Sequence, residues 1–161
     1  MARLMKSHTH WDVFLTTGFY SGYSPVAPGT MGAAVATLMW LIPYRFCTYV
    51  ELQSVTIAAI VLFTLLSIPS IRRIERDWGE DPSRVVVDEM VGVWLSLLAV
   101  PDNANWLHIG GAFVLFRLFD IAKPFGVRRM ERVKGGWGVM LDDILAGIYG
   151  ALVLFAINLY F

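Results

Sequence analysis

The chain is poor in cysteine, in histidine and in charge. Its 161 residues include one cysteine, three histidines and a charged fraction of 16%. The lone Cys47 excludes an intrachain disulfide and any cysteine-rich metal site. It lies in no Cys-x5-Arg loop, so phosphocysteine chemistry has no nucleophile here. His8, His10 and His108 have no metal-ligand spacing, which disfavours a histidine-built metal site and a phosphohistidine route. Soluble proteins carry about 25% charged residues. With 57% hydrophobic and 14% aromatic residues and a mean hydropathy of +0.59, the composition points to a membrane protein; a soluble, very apolar helical bundle is the alternative. A formal net charge of zero gives no sign of nucleic-acid binding. No cleavable signal peptide is evident, so the internal apolar segments are expected to direct insertion.

What the chain does have is long apolar runs. Five candidate helices cover residues 30–41, 49–68, 85–100, 106–122 and 139–161. Pro43, Pro101 and Pro124 supply stop signals, because proline lacks an N–H and restricts the residue before it. The run 49–68 is long enough to cross a bilayer alone, since a span needs about 20 residues. The third and fourth are short and would tilt or lie within a bundle. Residues 11–23, with Trp11, Phe14, Phe19 and Tyr20, form a weaker pattern that fits an extra interfacial helix. The expected fold is all-α: one domain, 1–161, an integral membrane bundle of about five apolar helices.

If successive helices alternate direction, every Lys and Arg except Arg45 falls on one face. By the positive-inside rule that face is cytoplasmic. Five carboxylates reach the same face: Asp88 and Glu89, Asp120, and Asp142 and Asp143. A carboxylate at the centre of a membrane helix costs about 2.5–3.5 kcal/mol on insertion scales. Five together also repel one another. A hard divalent cation removes both penalties; Mg²⁺ typically takes one or two carboxylates plus waters and phosphate oxygens. The bland reading is a set of boundary acids paired with arginines.

Three further stretches point toward a phosphate. In "FRLFDIAKP", Arg117, Asp120 and Lys123 are three residues apart and share a helix face, either as an ion-pair ladder or as anion ligands beside a metal. In "SGYSPVAPGTMGAA", glycines and prolines make a turn into a helix N-terminus, where free N–H groups and Thr30 could meet phosphate; a packing turn explains the same residues. In "KGGWGVMLDDILAG", glycines precede Asp142 and Asp143, while Ala146 and Gly150 form a small-residue packing pair. The run "IRRIERDWGEDPSR" is expected to be a solvated cytoplasmic loop whose arginines could touch anionic lipid.

Taken in order, "SGYSPVAPGTMG", "VVVDEMVGVW", "FRLFDIAKPFGVRR" and "GGWGVMLDDILAG" resemble the phosphatidylglycerophosphatase A family of bacterial inner-membrane lipid phosphatases. The resemblance implies Mg²⁺-dependent removal of the terminal phosphate of phosphatidylglycerophosphate, by a multi-pass protein whose site faces the cytoplasm. It implies a metal-binding set of Asp88, Glu89, Asp120, Asp142 and Asp143. It implies Arg117, Lys123 and Thr30 as polar partners of the phosphate, to which Arg128 is added as a substrate contact; the catalytic groups expected for metal-assisted hydrolysis are Asp143, Asp120 and Lys123. Membrane lipids are the expected partners, nucleic acid is not, and the oligomeric state stays open. A divalent-cation carrier and a non-catalytic lipid-binding module are the competing classes.

Overall fold

The computed structural model describes residues 7–124, 126–130 and 133–160, and these contain helices and loops but no strand. Seven α-helices follow one another: α1 (His10–Thr16), α2 (Pro28–Phe46), α3 (Tyr49–Trp78), α4 (Val87–Leu97), α5 (Trp106–Ala122), α6 (Val127–Met130) and α7 (Gly136–Tyr160). Arg3, Lys6 and Arg132, counted on the basic face, lie outside the described residues.

Local sequence explains the helix starts. Thr9 with Asp12, and Thr48 with Glu51, form reciprocal capping boxes at α1 and α3, which satisfy N–H groups that a helix start leaves unpaired. Asn105 caps α5 by accepting from Leu107 N. α2 opens with Ala27 in the left-handed region and Pro28 in its first turn, where the missing proline donor costs nothing.

Several boundaries differ from the sequence expectation. α2 runs through Pro43 instead of stopping before it. α3 runs through Pro69, so the charged stretch expected as a loop is helical as far as Trp78. Tertiary contacts support this extension. Arg73 of α3 donates to both carboxylate oxygens of Asp12 on α1, at 3.0 and 2.5 Å, and Ser7 Oγ donates to the Arg73 carbonyl. α1 therefore clamps the end of α3. α4 is shorter than expected, and α6 was not foreseen.

α4 is the hub, packed against α2, α3, α5 and α7. Its 11 residues span only about 16 Å at 1.5 Å per residue, against about 30 Å of hydrocarbon. It cannot cross alone and needs protein on every side. Val87, Met90, Val91, Val93 and Leu97 are accordingly fully buried. Two indole N–H groups in the core are tied: Trp94 Nε1 donates to the Ala36 carbonyl and Trp40 Nε1 to Thr56 Oγ1, both at 2.9 Å.

Among the described residues two helices are long and apolar enough to cross a membrane, α3 and α7. Only 28% and 39% of their most apolar windows are buried. A core helix of a soluble protein would be mostly buried, so the soluble-bundle alternative fits poorly. Leu38, Ile42, Leu65, Val114 and Phe155 extend this apolar exterior over α2, α3, α5 and α7. A membrane-embedded bundle gives that surface its solvent.

Candidate active site

The acids are brought together by a glycine-lined helix crossing. On α4, Asp88, Gly92 and Ser96 follow at intervals of four and share a face; on α7, Asp143 and Gly147 do the same. A Cβ on Gly92 would stand 2.8 Å from the Asp143 carbonyl oxygen, and one on Gly147 only 3.0 Å from the Gly92 carbonyl carbon. Ser96 Oγ closes the ladder by donating to the Gly147 carbonyl at 3.0 Å. Because the backbones touch at Gly92 and Gly147, one turn earlier Asp88 and Asp143 must face each other. α5 delivers Asp120 in its last turn. The N-terminus of α2 arrives from the other side, so close that a Cβ on Gly29 would fall on the Glu89 carboxylate.

The result is a carboxylate cluster at the floor of a cavity of about 900 Å³. Asp88, Glu89 and Asp143 each offer an oxygen, and these three lie within 4.8 Å of one another. Asp88 Oδ1, Glu89 Oε2, Asp142 Oδ1 and Asp143 Oδ1 are buried without a hydrogen-bond partner. Unpartnered buried carboxylate oxygens are costly. A hard divalent cation, which binds oxygen ligands, is the group that this donor set fits.

The other two acids hold cations. Asp120 Oδ2 pairs with Arg117 Nη1 at 2.5 Å, and Lys123 Nζ donates to Asp142 Oδ2 at 2.9 Å. Lys123 reaches back because it terminates α5 in the left-handed region, with φ +45°, an uncommon conformation for a residue with a side chain. Arg117 keeps a buried Nε without a partner, a donor beside the acids that an anion could use. Asp120 and Asp142 thus position cations, Asp142 with one oxygen still unpartnered, and Asp88, Glu89 and Asp143 remain as the group that could hold a metal.

Not every expected residue arrives. Thr30 is half-buried and Arg128 is exposed, and neither lines the cavity; Ala27, Pro28 and Gly29 represent the α2 start instead. Sequence reasoning missed Arg72, Arg76 and Lys134, which line the mouth. The spacing of four between Arg72 and Arg76 was a usable signal, since it puts both on one face once α3 is known to continue.

An apolar helical bundle with a cavity that combines a bare carboxylate cluster and positioned cations fits a membrane enzyme of the phosphatase kind. Residues 14–158 match the family model described as phosphatidylglycerophosphatase A. The chain is 35% identical over 156 residues to phosphatidylglycerophosphatase A of Escherichia coli, covering 96% of this chain and 87% of that one. It is 39% identical over 150 residues to the Haemophilus influenzae protein of the same name, covering 89% and 86%. It is also 53% identical over 151 residues, 93% of this chain and 95% of the other, to a Bacteroides thetaiotaomicron protein named provisionally as a phosphatidylinositol-3-phosphatase. No solved structure matches the chain. The chain belongs to the phosphatidylglycerophosphatase A family.

Proposed function

We propose that this protein hydrolyses the terminal phosphomonoester of phosphatidylglycerophosphate, with Mg²⁺, at the cytoplasmic face of a bacterial inner membrane. The observation that carries this reading is the set of four buried, unpartnered carboxylate oxygens beside Arg117 and Lys123 in one cavity. Asp88, Glu89 and Asp143 would hold the ion. A bound Mg²⁺ supplies charge neutralisation for the phosphate and lowers the pKa of a coordinated water.

The protein groups do the rest. Arg117 and Lys123 hold the equatorial phosphate oxygens, Arg by its planar fork and Lys as a point charge. Asp120 and Asp142 fix the orientation of those two cations. Asp143 orients the attacking water and takes its proton, which is returned to the glycerol oxygen as the phosphorus–oxygen bond breaks, so that alcohol and phosphate leave. The acids sit at one end of the helices rather than near the middle, where transport sites lie, which favours an enzyme over a cation carrier.

The cytoplasmic orientation is supported by charge. Arg72, Arg76, Lys123 and Lys134 line the cavity, whereas Arg45 lies in the last turn of α2, at the opposite end from Gly29. Cys47 follows α2 on that opposite side and is the chain's only thiol. A membrane-impermeant maleimide should label it in intact spheroplasts. Labelling only after lysis would reverse the orientation.

The Bacteroides relative favours a second substrate reading, the monoester of phosphatidylinositol 3-phosphate. Phosphate release from each lipid in detergent micelles, with Mg²⁺ or with EDTA, separates the two. The proposal expects faster Mg²⁺-dependent release from phosphatidylglycerophosphate. Faster release from the inositol lipid would transfer the assignment, and no release from either would end the phosphatase reading.

A further inference from the structure

The cavity is larger than a metal-bound phosphate requires. At about 900 Å³ it is near the upper end of ordinary ligand pockets, about 300–1,000 Å³. Its depth is chemically divided. On the floor both cations are already engaged, Arg117 with Asp120 and Lys123 with Asp142. At the mouth stand Arg72 and Arg76 from α3 and Lys134 from the segment before α7. All three are exposed. None forms an ion pair with a described carboxylate.

Their placement has local causes. Arg72 and Arg76 are one turn apart on the continued α3, so they share a face. Gly135, at φ +75°, runs beside Arg72; even a Cβ there would be 3.7 Å from Arg72 Nε. Lys134 is thereby brought to the same rim. Glu75, Glu80 and Asp81 also line the mouth, where Asp81 turns the chain from α3 toward α4 with a left-handed φ of +46°.

We infer that Arg72, Arg76 and Lys134 form a second anion subsite, which receives the internal phosphodiester of a lipid whose terminal monoester occupies the floor. This rests on the phosphomonoesterase reading above and adds the substrate class: lipids with a diester and a separate monoester. Phosphatidic acid has the monoester but no diester, so it gains nothing from the mouth. The three side chains act as specificity determinants and not in the chemical step.

The test uses full-length protein in micelles of neutral detergent, which removes any attraction of the rim to a charged lipid surface. Wild type, Arg72→Gln/Arg76→Gln, Arg72→Lys/Arg76→Lys and Lys134→Gln are compared on phosphatidylglycerophosphate and on phosphatidic acid. The expected result is a KM for phosphatidylglycerophosphate raised about three- to tenfold in the Gln variants. kcat stays within about twofold, turnover of phosphatidic acid is unchanged, and the Lys double variant recovers most of the loss. Unchanged KM, or equal losses on both lipids, overturns the subsite while leaving the phosphatase intact. Wild type inert on both lipids would overturn the phosphatase reading and this subsite together. Far-UV circular dichroism controls for folding; the replaced side chains are exposed, so unfolding is not expected.

Discussion

Gly147→Ala would test whether the α4–α7 crossing sets the acid cluster. The new Cβ would overlap the Gly92 carbonyl oxygen and stand 2.9 Å from Leu95 Cβ and 3.0 Å from the Gly92 carbonyl carbon. Carbon atoms prefer about 3.5–4.0 Å, so the helices must separate by roughly 0.5–1 Å. One obstacle is backbone, which cannot rotate away. Overpacking of this kind costs about 1–3 kcal/mol in stability. The greater effect is positional, because the crossing lies one turn from Asp143, and a misplacement of about 1 Å near reacting atoms can cost about 10²-fold in rate. Mg²⁺-dependent phosphate release in micelles is expected to fall about ten- to hundredfold, with a raised Mg²⁺ half-saturation and an unchanged helical spectrum. Gly150→Ala is the control. Its Cβ would meet Ser96 Oγ and Phe116 N, a turn further from the acids, so its loss should be smaller. Release and half-saturation within twofold of wild type for Gly147→Ala would refute the role given to this crossing.

Two other perturbations probe separate parts of the molecule. Gly29→Ala places a methyl on the Glu89 carboxylate and 3.4 Å from Arg117 Nη1. It should weaken Mg²⁺ binding in isothermal titration calorimetry while leaving the protein folded; unaltered binding would remove Glu89 from the metal set. Asp12→Asn probes the clamp between α1 and α3. Burial pushes the Asp12 carboxyl up, but the Arg73 guanidinium and the Thr9 and Ser70 donors outweigh it and hold it well below the usual carboxylate range. A lowered folded pKa means that the stabilisation is complete above the unfolded value of about 3.9 and is lost as pH falls below it. Arg73 is 40% exposed, so solvent screening limits the expected loss at pH 7 to about 1–2 kcal/mol. The gap in melting temperature between wild type and variant should narrow between pH 5 and pH 3; a constant gap would contradict the assignment.

The location of the site was legible in the sequence because alternating helices send both acid doublets and Asp120 to one end. α5 was legible too, its apolar run 106–122 ending ahead of Pro124. The division of labour among the acids was not. Asp88, Glu89 and Asp143 are left bare while Asp120 and Asp142 hold Arg117 and Lys123, and that outcome depends on helix rotation. Rotation is set by Gly92 and Gly147, whose significance appears only when the two helices face each other. The continuation of α3 past Pro69 was hidden for a different reason. Proline followed by charge reads as a stop locally, and the compensation comes from Asp12 and Ser7, more than 60 residues earlier in the chain. Arg72 and Arg76 were thus expected on the acids' face but in a solvated loop, and not as residues lining the cavity.

The central claim is that the buried acids hold a divalent cation needed to hydrolyse a lipid phosphomonoester. It is tested most directly by phosphate release from phosphatidylglycerophosphate in micelles, with Mg²⁺ or EDTA, for wild type beside Asp143→Asn. The account predicts release by wild type with Mg²⁺, its loss in EDTA, and a fall of at least about a hundredfold in the variant, the scale of losing a positioned acid–base group. Equal release by the two proteins, or undiminished release in EDTA, would contradict it.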